Sequence, residues 1–337
     1  MSQTYLAARQ RSARPQPIVP RANLRARQRI FLIDGSLTRV EVYDANVNQW
    51  TETRSSRAST SQENHLLDGI HRAVLGDDIY ALYVDLRFRD AQSVRRYNIA
   101  TDTWFDDVPR LCTARSGLPR VELNGALYVI GGLDSESRPL NIVKRYRKQD
   151  DKWSQSASMV RGRSNAGVAV SYGHIYVIGG CEESNSQISV EKYDHESDSW
   201  SLVTFLKFKH TSYESVEYDG LIYFYESMNP SGLEDLYGIM TNHRWDDERY
   251  IFNPLKNELS RFRSLPTPRL GFKVAVLGRR ILFIGGHPLL GIITRVESHW
   301  KLVQSYNLLT KSLGRDSFLL ADKKKFSLVV HPSRQSW

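Results

Sequence analysis

A chain of 337 residues with 41% hydrophobic content can bury a large core, and its length fits one big domain or two ordinary ones. Its two cysteines, Cys112 and Cys181, lie far apart with no C-x-x-C, so neither a disulfide framework nor a zinc cage is encoded, and a reduced, cytoplasmic setting is expected. No apolar run approaches the about 18 residues that span a bilayer, and the N-terminus lacks an apolar signal core, which argues against membrane insertion and secretion.

The formal charge of +9 points to nucleic acid only until it is located. Arg9, Arg11, Arg14, Arg21, Arg25, Arg27 and Arg29 carry most of it, with no acidic residue before Asp34, so the body after residue 29 is nearly neutral. Residues 1–28 combine these arginines with Pro15, Pro17 and Pro20 and show no periodicity. They read as a flexible basic lead-in. Such an arm can bind polyanions, but a solvated linker is the preferred reading, and nucleic acid is not the expected partner.

Ordered structure is expected from Ile30. From there one apolar run recurs six times: IFLIDG from Ile30, IYALYV from Ile79, LYVIGG from Leu127, IYVIGG from Ile175, IYFYES from Ile222 and ILFIGG from Ile281. Around the fourth copy the unit is clearest. Gly167 to Val170 and Ile175 to Ile178 alternate about a Tyr172-Gly173-His174 turn, a hairpin signal, and further runs follow near Tyr193 and Trp200. Four short strands repeated with a period near 50 make one propeller blade per copy, and the fold class is all-β.

Each run is followed by an aromatic residue and, seven positions on, a large apolar one: Tyr43 and Trp50, Tyr97 and Trp104, Tyr146 and Trp153, Tyr193 and Trp200, Phe252 and Leu259, Tyr306 and Leu313. Side chains repeated at one place in every blade fill the wedge between blades, so these are core residues. Gly131-Gly132, Gly179-Gly180 and Gly285-Gly286 sit where a strand ends; positive φ, or room for a neighbouring aromatic, explains them. Tyr83-Val84 and Glu226-Ser227 replace the pair, and Asp34-Gly35 keeps half of it. With leucine in place of tryptophan, blades five and six are expected to be the less regular ones.

The first copy starts at its second strand, so a strand from the C-terminal end must complete it. Arg315 to Ala321 (RDSFLLA) reads as that spare first strand, which would close the ring and leave Phe326 to Val330 as a further strand without an assigned place. A partial seventh blade is the competing account. Polar insertions break the period at residues 54–66 and between Tyr225 and Phe252, and a long loop on a rigid ring is more often functional or disordered than structural.

Aligned by the second strand, Arg115, Arg163 and Arg269 fall at one point just before the first strand, and Arg315 fits with a one-residue gap. Arg115-Ser116 and Arg163-Ser164 repeat as pairs, and His210 holds the place in copy five. Equivalent points of a propeller lie on one circle, where guanidiniums suit bidentate capture of carboxylates. The alternative is that each arginine ties neighbouring blades together through backbone carbonyls. No P-loop, H-E-x-x-H, G-x-S-x-G or combination of nucleophile and base is visible, so neither enzyme chemistry nor a cofactor or metal is expected.

The register of di-glycine, tyrosine and tryptophan resembles the kelch-repeat family from about residue 29 to the C-terminus, most closely in the middle copies. The implied fold is a six-bladed kelch β-propeller behind the N-terminal arm. The Arg-Ser pair is similar to that of the kelch domains of BTB-BACK-kelch adaptors, which present substrates to cullin-3 ubiquitin ligases. That resemblance implies a non-catalytic module in which Arg115, Arg163 and Arg269 bind an acidic segment of a protein partner; Ser116 and Ser164 beside them, His210 and Arg315 at the repeat-equivalent place, and Arg87 and His287 on loops of the same face complete the candidate site. An actin-binding or scaffolding role is the alternative. No BTB or BACK domain is visible, so a fragment, a shortened product and a free-standing protein all stay open, and cullin-3 recruitment would need a BTB domain from elsewhere.

Overall fold

The computed structural model describes residues 29–34, 37, 40–44, 49–53, 68–84, 92–182, 188–206, 212–226, 249–262, 269–270, 272–288, 302–318 and 326–331. The lead-in, the two long insertions, His210 and Arg87 lie outside them. Six antiparallel four-stranded sheets form the blades of a propeller. In blade four, Gly167–Ser171 pairs with His174–Ile178, which pairs with Ile188–Asp194, which pairs with Ser199–Leu206. Blade three repeats this with Arg120–Leu123, Ala126–Ile130, Val143–Arg147 and Lys152–Ser156. Blades two, five and six have their inner strands at Asp68–Leu75, Tyr213–Tyr218 and Lys273–Leu277.

Ring closure differs from the expectation. Arg29–Asp34 pairs with Phe326–His331, with Ile30 opposite Val330 and Leu32 opposite Leu328, so that segment supplies the inner strand of blade one. Arg315 to Phe318 instead ends the outer strand of blade six, Ser312–Phe318, with Arg315 opposite Gln304. A shift of register at Val303/Gln304 prolongs this outer strand, as one at Val190/Glu191 prolongs Ser199–Leu206 in blade four. Among the described residues this pairing closes a ring of six blades.

The core lies between blades. One apolar cluster fills each of the six contacts among the described residues; the last joins Ile30, Leu32, Tyr43 and Trp50 of blade one to Ala275, Leu282 and Ile284 of blade six. Each such side chain buried contributes roughly 1.5–3 kcal/mol. Tyr43, Tyr97, Tyr146 and Tyr193 stand directly opposite their tryptophans, with ring centroids 5.1–5.3 Å apart. Trp153 and Trp200 spend their indole N–H on Pro109 and Ala157 carbonyls, and so tie the blade to the incoming chain. The tyrosine hydroxyls donate to Asp102, Asp151 and Asp198 five residues on, each of which holds positive φ in its turn.

All six glycines of the three pairs have positive φ. The close neighbour is backbone and not an aromatic ring: a Cβ on Gly131 would come within 2.2 Å of the Arg163 carbonyl oxygen, and one on Gly180 within 2.4 Å of that of Ser164.

Candidate functional site: the arginine circle and the axis

Arg163–Ser164 is a short strand paired with Cys181–Glu182, and Arg269–Leu270 pairs likewise with His287–Pro288. In blade three the same place is a single bridge from Ser116 to Leu133. Repeat equivalence therefore does bring these backbones to one face. For Arg115 and Arg163 it does not bring the guanidinium to solvent.

Arg163 is fully buried, and both terminal nitrogens of its guanidinium are committed within blade four. Nη1 donates to the carbonyls of Gly179 (2.9 Å) and Ser189 (3.0 Å), while Nη2 donates to Ser189 Oγ (2.7 Å) and to Glu191 Oε1 (2.6 Å). Glu191 is equally buried and also accepts the backbone N–H groups of Val160 and Arg161, at 2.7 and 3.1 Å. The reading of Arg163 as a rim residue for an acidic partner is thus overturned. A buried charge must be paired and hydrogen-bonded, and here the protein itself supplies the carboxylate. Ser164 is buried beside it and withdrawn from any partner as well.

Arg115 is 2% exposed and makes the same two carbonyl contacts, Nη1 to Gly131 (2.6 Å) and to Ile142 (3.3 Å). Its Nε and Nη2 have no described acceptor. Burial pushes its pKa down to about 10. Gln92 of blade two donates its side-chain amide to the Arg115 carbonyl at 3.2 Å, which locks this segment against the neighbouring blade. Arg315, in the outer strand of blade six, is not at the equivalent position at all. For Arg269 and His287 the backbone pairing is described and the side chains are not; His210 and Arg87 lie outside the described residues.

Of the candidate residues Ser116 is exposed on this rim, and so is Asn165, which the arginine search passed over. Asn165 takes φ +53°, donates its N–H to the Gly117 carbonyl (2.8 Å) and accepts from the Tyr213 N–H (2.9 Å), linking blades three, four and five around the mouth. Left-handed φ at a non-glycine is the mark of such a special turn, and its side chain fell one place beyond the Arg-Ser pairs on which the search was centred.

Nearer the axis, where inner strands of successive blades adjoin, lies a second cluster that sequence reasoning missed. Arg120 of blade three donates Nε to the Arg72 carbonyl (2.8 Å) and Nη1 to the Leu118 carbonyl (3.1 Å), with His71 Nδ1 at 3.2 Å. Burial, followed by the charges of Arg120, Lys273 and Arg72, holds the His71 imidazole well below its ordinary 6.5. Lys273 of blade six pairs with Glu214 of blade five. Between blades two and three, buried Asp78 accepts from Asn98 (2.8 Å), Arg96 (3.0 Å) and Lys148 (2.5 Å). Only the fold assembles these: Lys148 lies 70 residues from Asp78, and Lys273 is farther still from His71.

Cys112 and Cys181 are free thiols, the first exposed. Among the described residues no group of three or more His, Cys, Asp or Glu could hold a metal ion, and no helix is long and apolar enough to cross a membrane.

Six four-stranded blades with apolar clusters between them, and with buried arginines and tyrosine–tryptophan pairs inside them, define a propeller of the kelch class. The Kelch motif model matches residues 114–160 and 162–204, which are blade three and most of blade four. The chain is a kelch-repeat protein, similar to the kelch regions of larger proteins. It is 25% identical over 232 residues to Kelch repeat and BTB domain-containing protein 1 of cowpox virus (strain GRI-90 / Grishak), covering 68% of this chain and 38% of that protein. Kelch repeat and BTB domain-containing protein A55 of vaccinia virus (strain Western Reserve) matches to the same extent. Kelch-like protein 36 of Rattus norvegicus is 28% identical over 182 residues, covering 50% of this chain and 28% of that protein. The chain thus spans well under half the length of these relatives. Kelch repeats and this similarity make it a protein-interaction module.

Proposed function

We propose that this propeller is a non-catalytic, cytoplasmic recognition module that holds an acidic segment of a partner protein, in the setting of a cullin-3 ubiquitin-ligase adaptor. The observation that carries the reading is the similarity to relatives whose names join kelch repeats to a BTB domain. The rigid ring supports it as well: hydrogen bonds from Tyr213 to Asn165 and from Asn165 to Gly117 fix a common rim, on which a partner meets a preorganised surface.

The contact set is narrower than a circle of arginines. Exposed Ser116 and Asn165 offer the polar rim, with Arg115 beneath it. Affinity capture with chemical cross-linking and mass spectrometry tests this, comparing wild type with a Ser116→Asp/Asn165→Asp double variant. Aspartate suits the left-handed turn at 165 and repels an acidic segment. The expected result is a partner cross-linked at this rim through an acidic stretch and lost from the double variant. Capture that is unchanged by the added charges would overturn the reading.

A further inference from the structure

The outer edge of blade four differs from those of the other blades. Ser199–Leu206 is the last strand of its sheet and has no β-partner on its outer side. Outer strands elsewhere carry charge: Glu52 in blade one, Lys152 in blade three, Glu258 and Arg261 in blade five, and Arg315 and Asp316 in blade six. That of blade two is only three residues long. Charge and shortness are what keep an open strand edge from pairing with another chain. The eight residues SWSLVTFL have neither, and a bulge at Val203 is the one irregularity in their pairing. Asn257 Nδ2 reaches the Val203 carbonyl at 3.4 Å; among the described residues no other hydrogen bond from outside the blade meets this strand's backbone.

The bulge gathers apolar side chains on one face. Leu202 stands opposite Glu191 and Phe205 opposite Ser189, with Val203 left over. Glu191 Oε1 and Ser189 Oγ both accept from Arg163 Nη2, so they share a face. Leu202 and Phe205 therefore share it too, although a spacing of three would put them on opposite faces of a regular strand. Leu202 is 39% and Phe205 42% exposed. Val160, 58% exposed, borders them through its N–H bond to Glu191, and the Arg161 guanidinium lies 5.2 Å from the Phe205 ring centre. The other large apolar side chains exposed among the described residues, Tyr172, Leu255 and Leu309, lie in turns.

We propose that this edge is a homodimer interface, in which Ser199–Leu206 pairs antiparallel with the same strand of a second copy and joins two blades into one eight-stranded sheet. A neutral strand meets no like charge when it pairs with itself, which is why the second copy is the fitting occupant. A twofold axis between Val203 and Thr204 sets Leu202 of each copy opposite Phe205 of the other, an aliphatic–aromatic cross-strand pair made twice. Both edges are used up in the pairing, so assembly stops at two. One strand pair with few side chains is a small interface, and the dimer is accordingly weak and concentration-dependent. This surface does not involve the rim and does not depend on the function proposed above.

Sedimentation velocity of the full chain, from low micromolar to submillimolar concentration, tests the proposal. The mean mass is expected to rise with concentration towards twice that of one chain. Leu202→Lys/Phe205→Lys, changed where the side chains already meet water, should keep the wild-type Tm and lose the rise. A chain that stays monomeric throughout, or a double variant that still dimerises, would overturn the interface. Cysteine pairing reads the register and holds even if the lysine variant melts early. In a background with exposed Cys112 replaced by serine, Leu202→Cys and Phe205→Cys proteins are oxidised with diamide, singly and mixed. The mixture should form disulfide-linked dimer several-fold faster than either protein alone. Equal rates in the mixture and the single proteins would overturn the strand pairing.

Discussion

Arg163 Nη2 and Glu191 Oε1 are 2.6 Å apart, and neither side chain reaches solvent. This pair joins the segment entering blade four to that blade's third strand, and through Val160 and Arg161 it also fixes the chain arriving from blade three. Removing one partner leaves a buried charge without compensation, which costs about 3–5 kcal/mol. Arg163→Ala and Glu191→Ala are each expected to lower stability by that order in urea unfolding. The double variant should cost less than the sum of the two, because it strands no charge. Additive losses would contradict the pairing.

His71 sets a pH dependence. Its folded pKa lies well below 6.5, so the unfolded chain takes up a proton that the folded one refuses, and stability falls as pH drops below 6.5. Between pH 7.5 and 5.5 this residue alone should remove about 1.4 kcal/mol. Denaturant midpoints of wild type and His71→Gln at the two pH values check it, with the wild-type loss exceeding that of the variant by about this amount.

Asp78 acts in the opposite pH range. Burial raises its pKa, but hydrogen bonds from Lys148, Asn98 and Arg96, together with the Arg96 charge, outweigh that and hold it below 3.8. Its stabilisation is present above 3.8 and lost as pH falls through the lower folded value. Asp78→Asn should cost about 1–3 kcal/mol at neutral pH, and the gap to wild type should close in strong acid. Acid titration of both proteins by circular dichroism measures this.

Glycine at 131 is required by space as well as by backbone angle. Gly131→Ala would drive a Cβ to 2.2 Å from the Arg163 carbonyl oxygen, whereas Gly125, also at positive φ, has nothing within 4 Å of its own. Gly125→Ala is therefore expected to cost about 1 kcal/mol, and Gly131→Ala several times more. Thermal melts of the two variants should separate clearly.

The six runs from Ile30 to Ile281 and their tyrosines and tryptophans determined the blades and their number, because a strand that buries both faces between neighbours must repeat its apolar pattern in sequence. They were legible without coordinates. Also legible was that Arg115 and Arg163 are equivalent. What equivalence could not tell was direction. Whether a guanidinium faces solvent or a blade depends on an acid in another strand, and comparing the repeats two residues before each tyrosine would have exposed Glu191 in blade four and Lys144 in blade three. Ring closure by Phe326–His331 likewise waited on the fold, since pairing with Arg29–Asp34 joins segments almost 300 residues apart, and no local alternation separates an inner strand from a prolonged outer one. Local periodicity is written in consecutive residues; partners for buried charge are chosen only when distant strands meet.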